Sequence, residues 1–116
     1  KDEKGKGVGR GYNINIPIEP HSGDDVFLSS LESLLPEIQD FNPDVVGVSA
    51  GFDGYYKDAL LDLDYSLNAY YECGKLLGRN FNDIFAVLEG GCDSPFGGEL
   101  TKTTVSPNVI VSCGVR

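Results

Sequence analysis

The sequence predicts an α/β domain built on a parallel sheet, and three observations predict it. Residues 45–48 form a Val-rich apolar run that breaks at Ser49, Ala50 and Gly51, the pattern of a strand buried on both faces. A second apolar run, IFAVL at 84–88, is followed closely by Gly90 and Gly91. Between the two runs, Leu67, Tyr70, Tyr71, Gly74 and Leu77 recur at helical spacing. Strands joined by a helix-length crossover pair in parallel.

The chain has 116 residues, one domain at most, with 18 acidic and 9 basic residues and a formal net charge of -9. That balance argues against nonspecific nucleic-acid binding, which needs a basic surface to displace counterions, and against an anionic membrane surface. It favours a positively charged substrate. The three cysteines, Cys73, Cys92 and Cys113, are odd in number and form no CxxC spacing. A disulfide framework is therefore not expected. With one histidine, the counts also exclude a structural zinc site of four cysteines, or of two cysteines and two histidines. No segment resembles a signal peptide, and no apolar stretch is long enough to span a bilayer. A cytoplasmic setting is the expectation. The first residue is Lys, so further sequence before it is expected as well.

Taken in order, residues 1–11 (KDEKGKGVGRG) are charged and glycine-rich. A dinucleotide fingerprint needs a strand before its glycines and a helix after them. Here the glycines come first, and no Gly-Lys-Ser/Thr follows, so nucleotide binding is not supported. Residues 12–18 (YNINIPI) alternate, with Ile14, Ile16 and Ile18 on one face. This predicts a strand, near its end or at a sheet edge because Pro17 lacks a donor. His21 follows in a polar loop. It is either a general base or ligand, or a solvated loop residue.

Asp24 and Asp25 suit the first turn of a helix, where acidic groups meet the positive dipole end. Phe27, Leu28, Leu31, Leu34, Leu35, Ile38 and Phe41 make its apolar stripe. Pro36 either kinks this helix or ends its regular part. Asn42 and Pro43 stop it and start the strand at 45–48. The next helix is predicted from about Tyr65 to Leu77, capped by Asp64 or Ser66 and ended by Gly78. Cys73 within it is read as a small packing residue. Residues 93–108 are loop-like, and 109–115 carry a weak strand pattern.

Strand, helix, strand, helix, strand makes two βαβ units, so the carboxyl ends of the second and third strands lie on one sheet edge. Ligands bind at that edge in open α/β sheets. Asp53 and the Gly90–Gly91–Cys92 turn then face one cleft. Spacing alone leaves Asp53 as a metal ligand, a general base or a loop-fixing acceptor. Asp58 reads as a carboxylate that holds its loop through backbone N–H groups. Cys92 reads either as a thiolate nucleophile, which needs a base or cation beside it, or as a neutral lining residue.

The segments GKGVGRGYNINIPIEPHSGDD, NPDVVGVSAGFDGYYKDALLDL and FAVLEGG, in this order and spacing, resemble the histone deacetylase family, and most closely its bacterial and archaeal branch with the acetylpolyamine amidohydrolases. The resemblance implies a partial three-layer, parallel-sheet α/β fold of the arginase/deacetylase kind. It implies that residues 1–116 are the carboxyl-terminal part of that domain, with 1–92 family-like and 93–116 an atypical tail. It also implies zinc-dependent removal of acetyl groups from N-acetyl-lysine peptides or acetylpolyamines.

On this resemblance Asp53 is one zinc ligand. The others, an Asp-x-His pair, lie in the missing amino-terminal part, as does the family's His-His pair. Tyr12 matches a residue whose backbone helps hold a monovalent cation, potassium, and Asp58 matches a loop-supporting Asp. Gly90 and Gly91 line the substrate pocket. Cys92 stands where the family has the Tyr that polarises the scissile carbonyl, and a thiol is the weaker donor. Two expectations follow: part of a zinc amidohydrolase, inactive as this chain alone, or an inactive fragment that keeps an acyl-lysine pocket. Neither nucleic acid nor membrane is an expected partner.

Overall fold

The computed structural model describes residues 4–58 and 61–88 and the backbone of 111–113. Its elements are a short 3-10 turn at Gly7–Gly9, helix α1 (Asp24–Phe41), strand β1 (Val46–Ala50), helix α2 (Leu67–Asn80), strand β2 (Ile84–Leu88) and strand β3 (Val111–Cys113). The sheet order is β1-β2-β3, parallel throughout. Val46 pairs with Ile84 and Ala50 with Leu88, so β1 and β2 end level with each other. The weak pattern at 109–115 contains the three residues of β3.

α1 forms where its stripe predicts. Phe27, Leu28, Leu31, Leu34, Leu35 and Ile38 are all at least half-buried, whereas Phe41 is exposed. Pro36 does not end the helix, which runs to Phe41. Asn42 closes it in the left-handed conformation (φ 52°, ψ 59°), donating its N–H to the Gln39 carbonyl at 3.0 Å. Asparagine is among the few non-glycine residues that visit this region readily.

Ser66 caps α2, its hydroxyl accepting from the Asn68 N–H at 3.1 Å. Of the predicted buried face, Leu67, Tyr70, Gly74 and Leu77 are at least half-buried, and Tyr71 is exposed. The helices lie side by side in the same direction. Asp24 at the start of α1 reaches Ser66, and at the far ends Gln39 Nε2 donates to Asn80 Oδ1 at 3.0 Å.

Four expectations are corrected. Residues 12–18 form no strand among the described residues. Alternation states which side chains share a face but not whether a neighbouring strand is at hand; Pro17 also removes a donor, and Ile14 is exposed. Among the described residues one βαβ unit, β1–α2–β2, therefore stands where two were predicted. Gly78 does not end α2; the helix continues to Asn80, whose side chain caps the Leu76 carbonyl at 2.7 Å. β1 runs through Ser49 and Ala50 and is half-buried on one face only, Gly47 and Ser49 being exposed.

Candidate active site

The core gathers at the carboxyl end of the sheet. Phe52, Tyr55, Tyr65, Ala69, Tyr70 and Leu88 are buried together, with Phe27, Leu63 and Leu67 packed against them. Phe52 follows β1 after Gly51, and Leu88 ends β2. The stacked Phe27 and Tyr65 rings (centroids 4.8 Å apart) and the tilted Phe52 and Tyr70 rings (4.8 Å) fill the space beneath the turn. Burial of aromatic rings contributes strongly per residue, so this turn is anchored by the core.

Asp53 rides on that anchor. It is half-buried, with buried Phe52 before it and buried Gly54 after it. Tyr55 donates its N–H to the Phe52 carbonyl at 3.1 Å, closing the turn around Asp53. Tyr65 N–H donates to the Gly54 carbonyl at 3.1 Å, and Tyr56 N–H to the Tyr65 carbonyl at 3.0 Å. These bonds pin the loop to the residues that lead into α2. Asp58 is half-buried, and its N–H closes a further turn on the Tyr55 carbonyl at 2.7 Å.

Gly54 is required by its neighbours. A Cβ there would stand 2.6 Å from Tyr65 Cδ2 and 3.3 Å from the Tyr70 hydroxyl. That hydroxyl is the one buried side-chain polar atom without a hydrogen-bond partner among the described residues. Burial pushes the Tyr70 phenol well above the usual tyrosine range, helped by Tyr65 and by the charges of Asp53, Asp58 and Asp24, so it stays protonated and remains a donor. Burial likewise raises Tyr65. Sequence reasoning placed Tyr70 on a buried face and missed its hydroxyl; the signal on hand was an aromatic run beside a glycine that directly follows Asp53.

The other predicted residues fall apart from this turn or outside it. The His21 ring is exposed and its Nδ1 faces Asp64 Oδ2 at 3.8 Å. Tyr12 is 72% exposed and meets Phe41 edge-on, centroids 6.0 Å apart. Cys73 is half-buried, and burial pushes its thiol up to about 11, which fits a neutral packing residue. It lines an apolar cavity of about 80 Å³ between α2 and the sheet, with Val48, Ala50, Ile84 and Leu88. Gly90, Gly91 and Cys92 lie outside the described residues. Among the described residues no three His, Cys, Asp or Glu side chains converge to hold a metal ion. Asp53 by itself does not make a zinc site, which takes at least three protein ligands. No helix among the described residues is long and apolar enough to cross a membrane.

A parallel α/β layer places Asp53 on the turn after β1, whose end is level with that of β2, the edge at which ligands bind in open α/β sheets. Residues 1–106 match the histone deacetylase domain, and the chain belongs to that family. It is 31% identical over 96 residues to a probable deacetylase of Archaeoglobus fulgidus, covering 78% of this chain and 27% of that protein. It is 33% identical over 90 residues to the acetylpolyamine amidohydrolase of Burkholderia pseudomallei, covering 78% and 26%. The crystal structure of acetylpolyamine aminohydrolase from Burkholderia pseudomallei superposes with a TM-score of 0.78 at 29% identity, over 89% of this chain and 30% of that one. The chain thus spans about a quarter of the length of these curated relatives.

Proposed function

We propose that this chain carries one wall of the active site of a zinc-dependent amidohydrolase that removes acetyl groups from N-acetyl-lysine or acetylpolyamine substrates. The observation that carries the proposal is the position of Asp53, on a core-anchored turn at the carboxyl edge of a parallel sheet, in a chain of the histone deacetylase family. Asp53 supplies one carboxylate oxygen ligand, and the remaining ligands come from parts of the fold that this chain does not span. Zinc in such a site polarises the amide carbonyl and activates water. Gly90 and Gly91 line the acetyl end of the pocket. Cys92 occupies the position of the carbonyl-polarising tyrosine and does that work less well. Asp58 supports the loop, and the Tyr12 backbone contributes to a potassium site. The net charge of -9 favours a substrate that keeps free ammonium groups, as acetylpolyamines do.

A second reading rests on ligand count, since a catalytic zinc takes three protein ligands and Asp53 supplies one: by itself the chain is a catalytically inactive acyl-lysine pocket. Both readings are tested with a chimera in which this chain replaces the matched segment of the Burkholderia pseudomallei enzyme. The folded chimera is expected to hold zinc and deacetylate N-acetylputrescine. Asp53→Ala should abolish both, and Cys92→Tyr should raise turnover. The isolated chain should show neither tight zinc nor activity. Full zinc occupancy in the Asp53→Ala chimera, or stoichiometric tight zinc in the isolated chain, would overturn the assignment of Asp53 as one ligand of a shared site.

A further inference from the structure

We propose that the Tyr70 hydroxyl is the donor that positions the Asp53 carboxylate. The inference rests on the reading of Asp53 as the functional carboxylate, and it assigns Tyr70 a positioning role that burial alone does not.

A hydroxyl buried without a partner forfeits its bonds to water, and native structures rarely leave one so. The Tyr70 hydroxyl is in that condition among the described residues. Its ring has little freedom to relieve it. Phe52 packs at 4.8 Å, Phe27 at 6.2 Å and Tyr65 at 6.3 Å between centroids, and Tyr70 is 8% exposed. The partner must therefore come to the hydroxyl. The oxygen lies against Gly54, 3.3 Å from the place a Cβ would take there. Gly54 is covalently bonded to Asp53.

The carboxylates whose charge reaches this oxygen are those of Asp53, Asp58 and Asp24. Asp24 already accepts from the Ser66 N–H and hydroxyl. Asp53 is half-buried, and no described residue donates a hydrogen bond to it. The proposed pair forms by rotation of Asp53 about its side-chain torsions, with one oxygen turned to the phenol. The hydroxyl then donates, Asp53 accepts, and the second oxygen is left facing the cleft at the end of β1 and β2. A neutral donor to a carboxylate is a short, strong bond. It would convert a side chain held only by its backbone into one held at its head group.

The test uses the full chain, without metal or substrate. Urea unfolding of Tyr70→Phe, Asp53→Ala and the double variant forms a double-mutant cycle. The expected coupling is about fivefold or more in the unfolding equilibrium constant, against additivity within about twofold when Tyr70→Phe is combined with Asp58→Ala or Asp24→Ala. A slowly exchanging Tyr70 hydroxyl proton should appear by NMR and should shift or vanish in Asp53→Ala while the other amide signals persist. If Tyr70→Phe fails to fold, this spectrum decides alone. Additivity with Asp53, coupling to Asp58 or Asp24 instead, or a hydroxyl resonance indifferent to Asp53→Ala would overturn the inference. Because neither measurement involves zinc, a failed chimera would sink the deacetylase reading and leave this pair intact, and additivity would do the reverse.

Discussion

The Asp24 carboxylate accepts hydrogen bonds from both the backbone N–H and the hydroxyl of Ser66, 42 residues later, at 2.7 and 2.5 Å. The Ser66 hydroxyl accepts in turn from Asn68 N–H at 3.1 Å. The first residue of α1 thus fixes the cap of α2, and the two helix starts are joined beside the aromatic core that carries Asp53. Asp24 was expected to serve the dipole of its own helix; its oxygens are turned to the neighbouring one.

Asp24→Ala should therefore cost more than the loss of an exposed first-turn carboxylate. Removing it leaves the part-buried Ser66 N–H without its acceptor, a loss of about 1–3 kcal/mol. Ser66→Ala should cost about 1 kcal/mol as an ordinary cap. The double variant should lose less than the sum, since both changes break the same bonds. Urea unfolding of the four proteins measures this, and strict additivity would show that the contact carries no energy.

Gly54 and Gly47 present a contrast. A Cβ on Gly54 would meet Tyr65 Cδ2 at 2.6 Å, and a Cβ on Gly47 would meet Phe85 Cζ at 2.8 Å. The distances are alike, but the neighbours differ. Tyr65 is buried and stacked on Phe27, so Gly54→Ala should destabilise by about 1–3 kcal/mol through overpacking. Phe85 is 45% exposed and can swing into solvent, so Gly47→Ala should stay within about 0.5 kcal/mol. Tyr65→Leu should recover most of the Gly54→Ala loss and none of the Gly47→Ala change, as thermal unfolding will read.

The frame of this site was legible in the sequence because it rests on local periodicity. The stripe from Phe27 to Ile38, the Val-rich run and IFAVL each fix one element, and the crossover between the two runs fixes parallel pairing. That put Asp53 at the right edge of the sheet. What escaped was set by non-local partners. The alternation of 12–18 carries no information on whether a strand lies beside it. Gly78 reads as a stop, yet Asn80 can satisfy the Leu76 carbonyl two residues later. The Asp24–Ser66 bond depends on the packing of α1 and α2, and the approach of Tyr70 to Gly54 on the packing of α2 against the loop after β1; no spacing encodes either. Three of the residues that matter most to the predicted pocket, Gly90, Gly91 and Cys92, lie outside the described residues.

Pro36 sits inside α1 and leaves the Glu32 carbonyl without its helical donor. Pro36→Ala supplies that donor. Helix propensity favours Ala over Pro by about 3 kcal/mol, and the freer unfolded chain takes back up to about 1 kcal/mol. The net gain should be about 1–2 kcal/mol, seen as a higher urea midpoint with an unchanged slope. A lower midpoint would show that the proline fits a bend that α1 needs for its contact with α2.

The buried thiol and phenols make stability fall at alkaline pH. Burial holds the Cys73 thiol at about 11 in the folded chain, whereas an unfolded cysteine loses its proton near ~8.5. Between these values the folded state binds more protons than the unfolded one, so stability declines as pH rises. Below ~8.5 both states are protonated and the full contribution is present. The loss should total about 2 kcal/mol for this group, discounted for its partial exposure. Tyr70 and Tyr65, both raised by burial, add a further decline that begins near ~10. Cys73→Ala should therefore flatten the stability profile between pH ~8.5 and ~10 while leaving the steeper fall above it, since the phenols remain. Equilibrium unfolding across pH 7–11 tests the sign directly: a profile that rises in this window, or one unchanged by Cys73→Ala, would mean that the thiol titrates in contact with solvent and that α2 does not close over it.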